Sequence, residues 1–240
     1  GIVGVIAPFN FPLTLSMRAV APALATGNAV IVKPDPHTPI SGGVLLARIF
    51  EDAGLPGGLL HVLPGGADVG EALCRHPSVG MVAFTGSTAV GRRVGALCGE
   101  HLKKVSLELG GKNSLIVLDD ADIGQAVAAA AFGAWMHQGQ ICMASGRILV
   151  HRALLDEFAG RLAERANSLV VGDPMREGVQ IGPLINERQL QNVRAIVEDS
   201  VAAGARLLAG GKAEPPFYRP TVLAEVRPGM RVFEEEVFGP

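Results

Sequence analysis

Along this chain, short apolar runs alternate with longer stretches whose apolar positions recur every three or four residues. The runs at 2–7, 29–33, 60–64 and 79–85 are rich in β-branched residues and bounded by Gly, Pro or Asn, which is the pattern of short buried strands. Between them the spacing predicts helices near 17–25, 42–53 and 68–75, with a further helix after Gly86. Strands separated by helices predict a parallel sheet covered on both faces, because each parallel pair needs a crossover and the helices then bury the sheet. Expected strands at 104–109 and 114–117 flank Gly110-Gly111, a pair without side chains to restrain the backbone. A domain boundary is placed there, giving units at 1–110 and 111–240. The second unit repeats the alternation, with helices expected at 123–136, 153–170 and 187–203 and strands at 147–150, 206–209 and 221–224. The expected class is α/β throughout.

Composition narrows the function classes. With 240 residues, 48% hydrophobic and only 18% charged, the chain has enough apolar material for a sizeable core. A net charge of −2 with interspersed signs offers no basic stripe, so nucleic acid is not an expected partner. No apolar run approaches the roughly 20 residues needed to span a bilayer, and the first residues lack the order of a signal peptide, so neither a membrane nor export is expected. Cys74, Cys98 and Cys142 form an odd, sparse set without a Cys-x-x-Cys pair. That usage suits a reducing, cytoplasmic setting, argues against a disulfide framework, and offers no metal site. The chain opens directly on an apolar run and stops at Phe238-Gly239-Pro240, so it is expected to be part of a longer polypeptide, incomplete at both ends.

Several segments carry candidate chemistry, each with a plainer alternative. Gly86-Ser-Thr-Ala-Val-Gly91 follows an expected strand and opens a helix, so its backbone N–H groups would face an anion such as a pyrophosphate. Ser87 or Thr88 acting only as a helix cap fits the same residues. Gln138-Gly-Gln-Ile-Cys142 leads through Ala144-Ser145-Gly146 into a strand, and a thiolate beside unpaired amides there would attack carbonyls. A buried inert cysteine fits as well. Glu108 ends a strand; partial burial would raise its pKa and make it a usable general base, whereas a solvent-facing edge glutamate would be bland. Lys33 closes a buried-type strand, where open α/β sheets bind ligands, although surface lysines end strands too. Asn10 sits between Phe9 and Phe11 in a loop closed by Pro8 and Pro12, as a polar anchor or a simple turn former.

The order of these segments resembles the aldehyde dehydrogenase family. The motifs stand as Pro8-Phe-Asn-Phe-Pro12, Lys33-Pro34, Phe84-Thr-Gly-Ser87, Glu108-Leu-Gly-Gly-Lys112, Gly139-Gln-Ile-Cys142 and Glu236-Val-Phe-Gly-Pro240, spanning essentially the whole chain. The resemblance implies a Rossmann-type cofactor-binding unit at 1–110 and a catalytic α/β unit at 111–240. It also implies Cys142 as nucleophile, Asn10 as oxyanion donor with the Cys142 N–H, and Glu108 as the base for thioester hydrolysis. NAD or NADP would be held by Lys33, Pro8, Phe9, Gly86, Ser87, Glu236 and Phe238. Family members that prefer NAD commonly carry Glu three residues after the cofactor lysine. Here that position is Pro36, with Asp35 and His37 beside it, so NADP use is expected. Phe11, Met17, Trp135, Met136 and Ile141 are apolar candidates for a substrate tunnel, or else ordinary core. They point to an aromatic or medium-length apolar aldehyde, the Pro8–Pro12 and Lys33-Pro-Asp-Pro36 segments resemble benzaldehyde-type members in particular, and a homodimer or homotetramer is implied for the full-length protein. Two alternatives stand beside this: a CoA-acylating aldehyde dehydrogenase, and a noncatalytic protein on the same scaffold.

Overall fold

The computed structural model describes all residues 1–240, which divide into two compact units, Gly1–Gly110 and Gly111–Pro240. The first unit runs β1 (Ile2–Ile6), α1 (Pro12–Ala25), β2 (Ala29–Lys33), α2 (Leu45–Asp52), β3 (Leu60–Val62), α3 (Ala67–Arg75), β4 (Val79–Thr85), α4 (Thr88–Glu100) and β5 (Lys104–Glu108). Its five strands are all parallel, in the order β3-β2-β1-β4-β5. Strand order therefore reverses between β1 and β4, and loops after those two strands diverge to leave a crevice at the carboxyl edge. Val30, Val32 and Leu46 fill the core on one side, and Val82, Phe84 and Val94 on the other, which is why the central strands read as nearly continuous apolar runs. Helix α1 starts five residues earlier than the periodicity indicates. Pro12 occupies its first turn, where a missing N–H costs nothing. Helix α2 starts later than expected and follows a π-helical turn at Ile40–Val44, whose Gly43 lies against Pro34 and Val62 too closely for a Cβ.

The second unit runs β6 (Ser114–Val117), α5 (Ile123–Trp135), β7 (Arg147–Val150), α6 (Leu155–Ser168), α7 (Glu187–Ala202), β8 (Arg206–Ala209), β9 (Ala213–Glu214), β10 (Phe217–Tyr218), β11 (Val222–Ala224) and α8 (Arg231–Glu234). Strands β6 and β7 pair in parallel across the crossover helix α5, while β8 pairs antiparallel with β11 and β9 with β10. Asp122 caps α5 by accepting from Gln125 N at 2.8 Å, and Asn186 caps α7 by accepting from Gln189 N at 2.9 Å. Val117, Ala130, Trp135, Phe158 and Leu162 form the main core. Trp135, an expected tunnel candidate, thus belongs to that core. No helix of the chain is long and apolar enough to cross a membrane.

Candidate active site

In the first unit the candidate residues collect at the carboxyl edge of the sheet. Ile6 pairs with Lys33 across β1 and β2, and the Lys33 carbonyl accepts from Ala7 N at 3.0 Å, carrying the ladder up to Pro8. Asn10 follows in the bend before α1 and is buried, at 7% exposure. On the other side of the reversal, Thr85 pairs with Glu108 and Gly86 N donates to the Glu108 carbonyl at 3.0 Å. Ser87 then caps α4, its Oγ accepting from Val90 N at 3.4 Å. Pro8, Asn10, Gly86 and Ser87 are therefore on the two loops that border the switch point.

Charge at this edge is uneven. Lys33 is 7% exposed, and burial lowers its pKa against the opposing pull of Asp35 and Asp68. Asp35 Oδ1 accepts from both the backbone N–H of His37 (2.9 Å) and its ring Nδ1 (2.7 Å), so His37 is committed to its neighbour. The partial burial considered for Glu108 is not found. Its side chain is 50% exposed and accepts from Arg18 Nη2 at 3.0 Å, a long-range pair to α1 that strand spacing gives no means of anticipating.

In the second unit Cys142 is exposed, so the burial that the plainer alternative assumed is not found. It follows a 3₁₀ turn at Met136–Gly139 in which three successive residues are left-handed: His137 (φ 52°), Gln138 (φ 57°) and Gly139 (φ 68°). Each of the two non-glycine residues costs about 1–2 kcal/mol in that conformation, so the surroundings must hold it in place. They do so on both sides. Gln140, 3% exposed, accepts from Ile185 N at 3.0 Å, and Ile141 is buried. Gly139 packs so closely on the Gly239 carbonyl that a Cβ would overlap its oxygen. That contact ties the turn before Cys142 to the segment holding Glu236 and Phe238, and the Phe238 carbonyl accepts from Gln189 Nε2 at 2.9 Å. Phe238 is itself left-handed, at φ 53°.

A cavity of about 500 Å³ lies inside the same unit, lined among others by Lys112, Trp135, Ile141, Tyr218, Glu236 and Phe238. Lys112 Nζ is buried without a hydrogen-bond partner. Burial, helped by the Arg147 cation, brings its pKa down to about 8 against the pull of Glu236 and Glu235. Burial also raises the pKa of Glu236, opposed by the Gly111 N–H, which donates to its Oε1 at 3.4 Å, and by Lys112. Met136, a second tunnel candidate, is 42% exposed. Sequence reasoning assigns no role to Lys112, Asn113, Arg18 or Gln189. Of these only Lys112 carries a signal, as the last residue of its motif.

Comparison with known proteins covers the whole chain. The family model described as "Aldehyde dehydrogenase family" matches residues 1–240. The chain is 58% identical over 240 residues to a benzaldehyde dehydrogenase (NAD(+)) of Pseudomonas putida and 58% identical to a vanillin dehydrogenase of an Amycolatopsis species, covering all of this chain and 49% of each relative. Among solved structures, a Mycobacterium tuberculosis aldehyde dehydrogenase complexed with NAD+ superposes with a TM-score of 0.97 at 41% identity, over all of this chain and 50% of that one. An Escherichia coli NADP-dependent enzyme does so with a TM-score of 0.96 at 40% identity, with the same coverage. The chain spans about half the length of the curated relatives it matches.

Proposed function

The chain belongs to the aldehyde dehydrogenase family, and on that premise we propose that the whole protein oxidises an aromatic or apolar aldehyde to its carboxylic acid, with Cys142 as nucleophile. The observation that carries this reading is the exposed Cys142 held on a loop whose left-handed lead-in is fixed by packing. Attack of its thiolate on the carbonyl gives a thiohemiacetal, and the oxyanion is held by the Asn10 amide and the Cys142 N–H. Bound NAD or NADP supplies the hydride acceptor. The group fits the first unit, whose carboxyl edge offers a switch point, a capped helix N-terminus at Ser87 and the buried Lys33. Pro8, Phe9 and Gly86 would border it. Glu108 then activates the water that cleaves the thioester. Its exposure leaves that water accessible, and the bond from Arg18 restrains the carboxylate at the end of β5. A glutamate able to do this favours hydrolysis over transfer to CoA.

The aromatic preference is supported by relatives named for benzaldehyde and vanillin. Use of both cofactors is supported by Pro36 beside the Asp35–His37 pair. Reduced-cofactor absorbance, followed in the full-length protein with benzaldehyde and either NAD or NADP, tests the reading. Turnover is expected in the wild type, with loss in Cys142→Ala and accumulation of acyl-enzyme in Glu108→Gln. Wild-type turnover in Cys142→Ala would remove the nucleophile assignment, and strict NAD dependence would remove the dual-cofactor reading.

A further inference from the structure

Two peptide planes meet at the α-carbon of Cys142, and each is fixed by one hydrogen bond. The Ile141 carbonyl accepts from Ala144 N at 3.0 Å. Because a trans peptide directs N–H opposite to C=O, that turn points the Cys142 N–H outward, away from the loop. The next carbonyl, that of Cys142 itself, accepts from Asn113 Nδ2 at 2.7 Å, and the same amide reaches the Ala144 carbonyl at 3.5 Å. Asn113 also holds the far end of the loop through its backbone, its carbonyl accepting from Arg147 N at 3.1 Å as an extension of the β6–β7 ladder. One residue at the head of β6 thereby fastens both ends of the loop 142–146. The side-chain bond fixes the plane leaving Cys142 and, with the Ile141–Ala144 bond on the other side, pins the α-carbon from which Cβ and Sγ project. Ser145 N donates to the Gly133 carbonyl at 2.9 Å and so ties the middle of the loop to α5, which leaves the peptide plane after Cys142 to the Asn113 amide.

We propose that Asn113 is the positioning residue of the nucleophile, its side-chain amide aiming Cys142 Sγ and the outward Cys142 N–H at one substrate carbonyl; this rests on the reading of Cys142 as nucleophile. Removing the amide leaves the thiol exposed and the ladder intact but frees the leaving peptide plane to rotate. In the full-length protein, Asn113→Ala lowers kcat for benzaldehyde by about tenfold to a hundredfold, the scale of a misplaced reacting group, with KM within about twofold. Alkylation of Cys142 by iodoacetamide, a probe that needs exposure but not aim, stays within about threefold of wild type. Asn113→Ser, which keeps a donor on a shorter arm, recovers part of the lost kcat. Wild-type kcat in Asn113→Ala would overturn the proposal. So would parallel loss of kcat, alkylation and melting temperature in both variants, since that would make the role purely structural. Turnover by the wild type and its loss in Cys142→Ala, read in the same series, test the nucleophile separately; a wild type inert toward every aldehyde tried would overturn both readings.

Discussion

Replacing Gly139 by Ala tests whether the turn before Cys142 is held by a close backbone contact or merely by a permissive conformation. Two costs separate cleanly. The left-handed backbone at φ 68° disfavours any L side chain by about 1–2 kcal/mol. The second cost is steric: the new Cβ would overlap the Gly239 carbonyl oxygen and lie 2.6 Å from its carbon and 2.9 Å from the Ala134 oxygen. These are backbone atoms, so relief requires the turn to move away from Gly239, at about 1–3 kcal/mol for overpacking. Gly229 supplies the control, with φ 89° and nothing within 4 Å of the position a methyl would take. Gly229→Ala should therefore cost about 1–2 kcal/mol and Gly139→Ala about 2–5 kcal/mol. Denaturant midpoints of the full-length protein and its two variants give the comparison, and turnover should fall in Gly139→Ala only. Equal destabilisation by the two substitutions would refute the argument, because it would leave strain alone as the cause.

Two further predictions concern buried titratable groups. Lys112 has a folded pKa of about 8 against about 10.4 unfolded, so between those values the unfolded chain binds more protons and stability rises with pH; Lys112→Met should abolish that rise, and parallel pH curves for the two proteins would count against the buried amine. Tyr218 has the opposite sign. Burial pushes its phenol up to about 12 from about 10, so its contribution is intact below pH 10 and lost as pH climbs toward 12. Tyr218→Phe should flatten that alkaline loss in urea titrations, and an unchanged slope would refute it.

How much of the fold is legible in the sequence follows from what each element buries. The strands β1, β2 and β4 can be located because both of their faces are covered by helices, which forces consecutive apolar residues. The hairpin of β9 and β10 leaves no such trace: its strands have two residues each, and Pro215-Pro216 between them signals only a turn. The start of α1 is obscured for a related reason. Phe11 stands at its N-cap, where its ring cannot accept a cap hydrogen bond as Ser, Thr, Asp or Asn would, so the usual polar marker is missing.

The site divides along the same line between local and distant causes. Ser87 can be recognised as a cap because the bond it makes is three residues long. Gly139 is visible only as the first residue of its motif, and its close backbone neighbour is not, since Gly239 is a hundred positions away. Glu108 shows the limit most clearly. Its position at a strand end is local and follows from the apolar run before it, whereas its exposure and its bond to Arg18 depend on how α1 crosses the sheet. The same holds for Asn113 and the Cys142 carbonyl, 29 residues apart. A loop built from small residues supplies no packing of its own, so its geometry must be imposed by bonds from elsewhere in the chain. Those imposed bonds, rather than the reacting groups, are what a motif leaves unwritten.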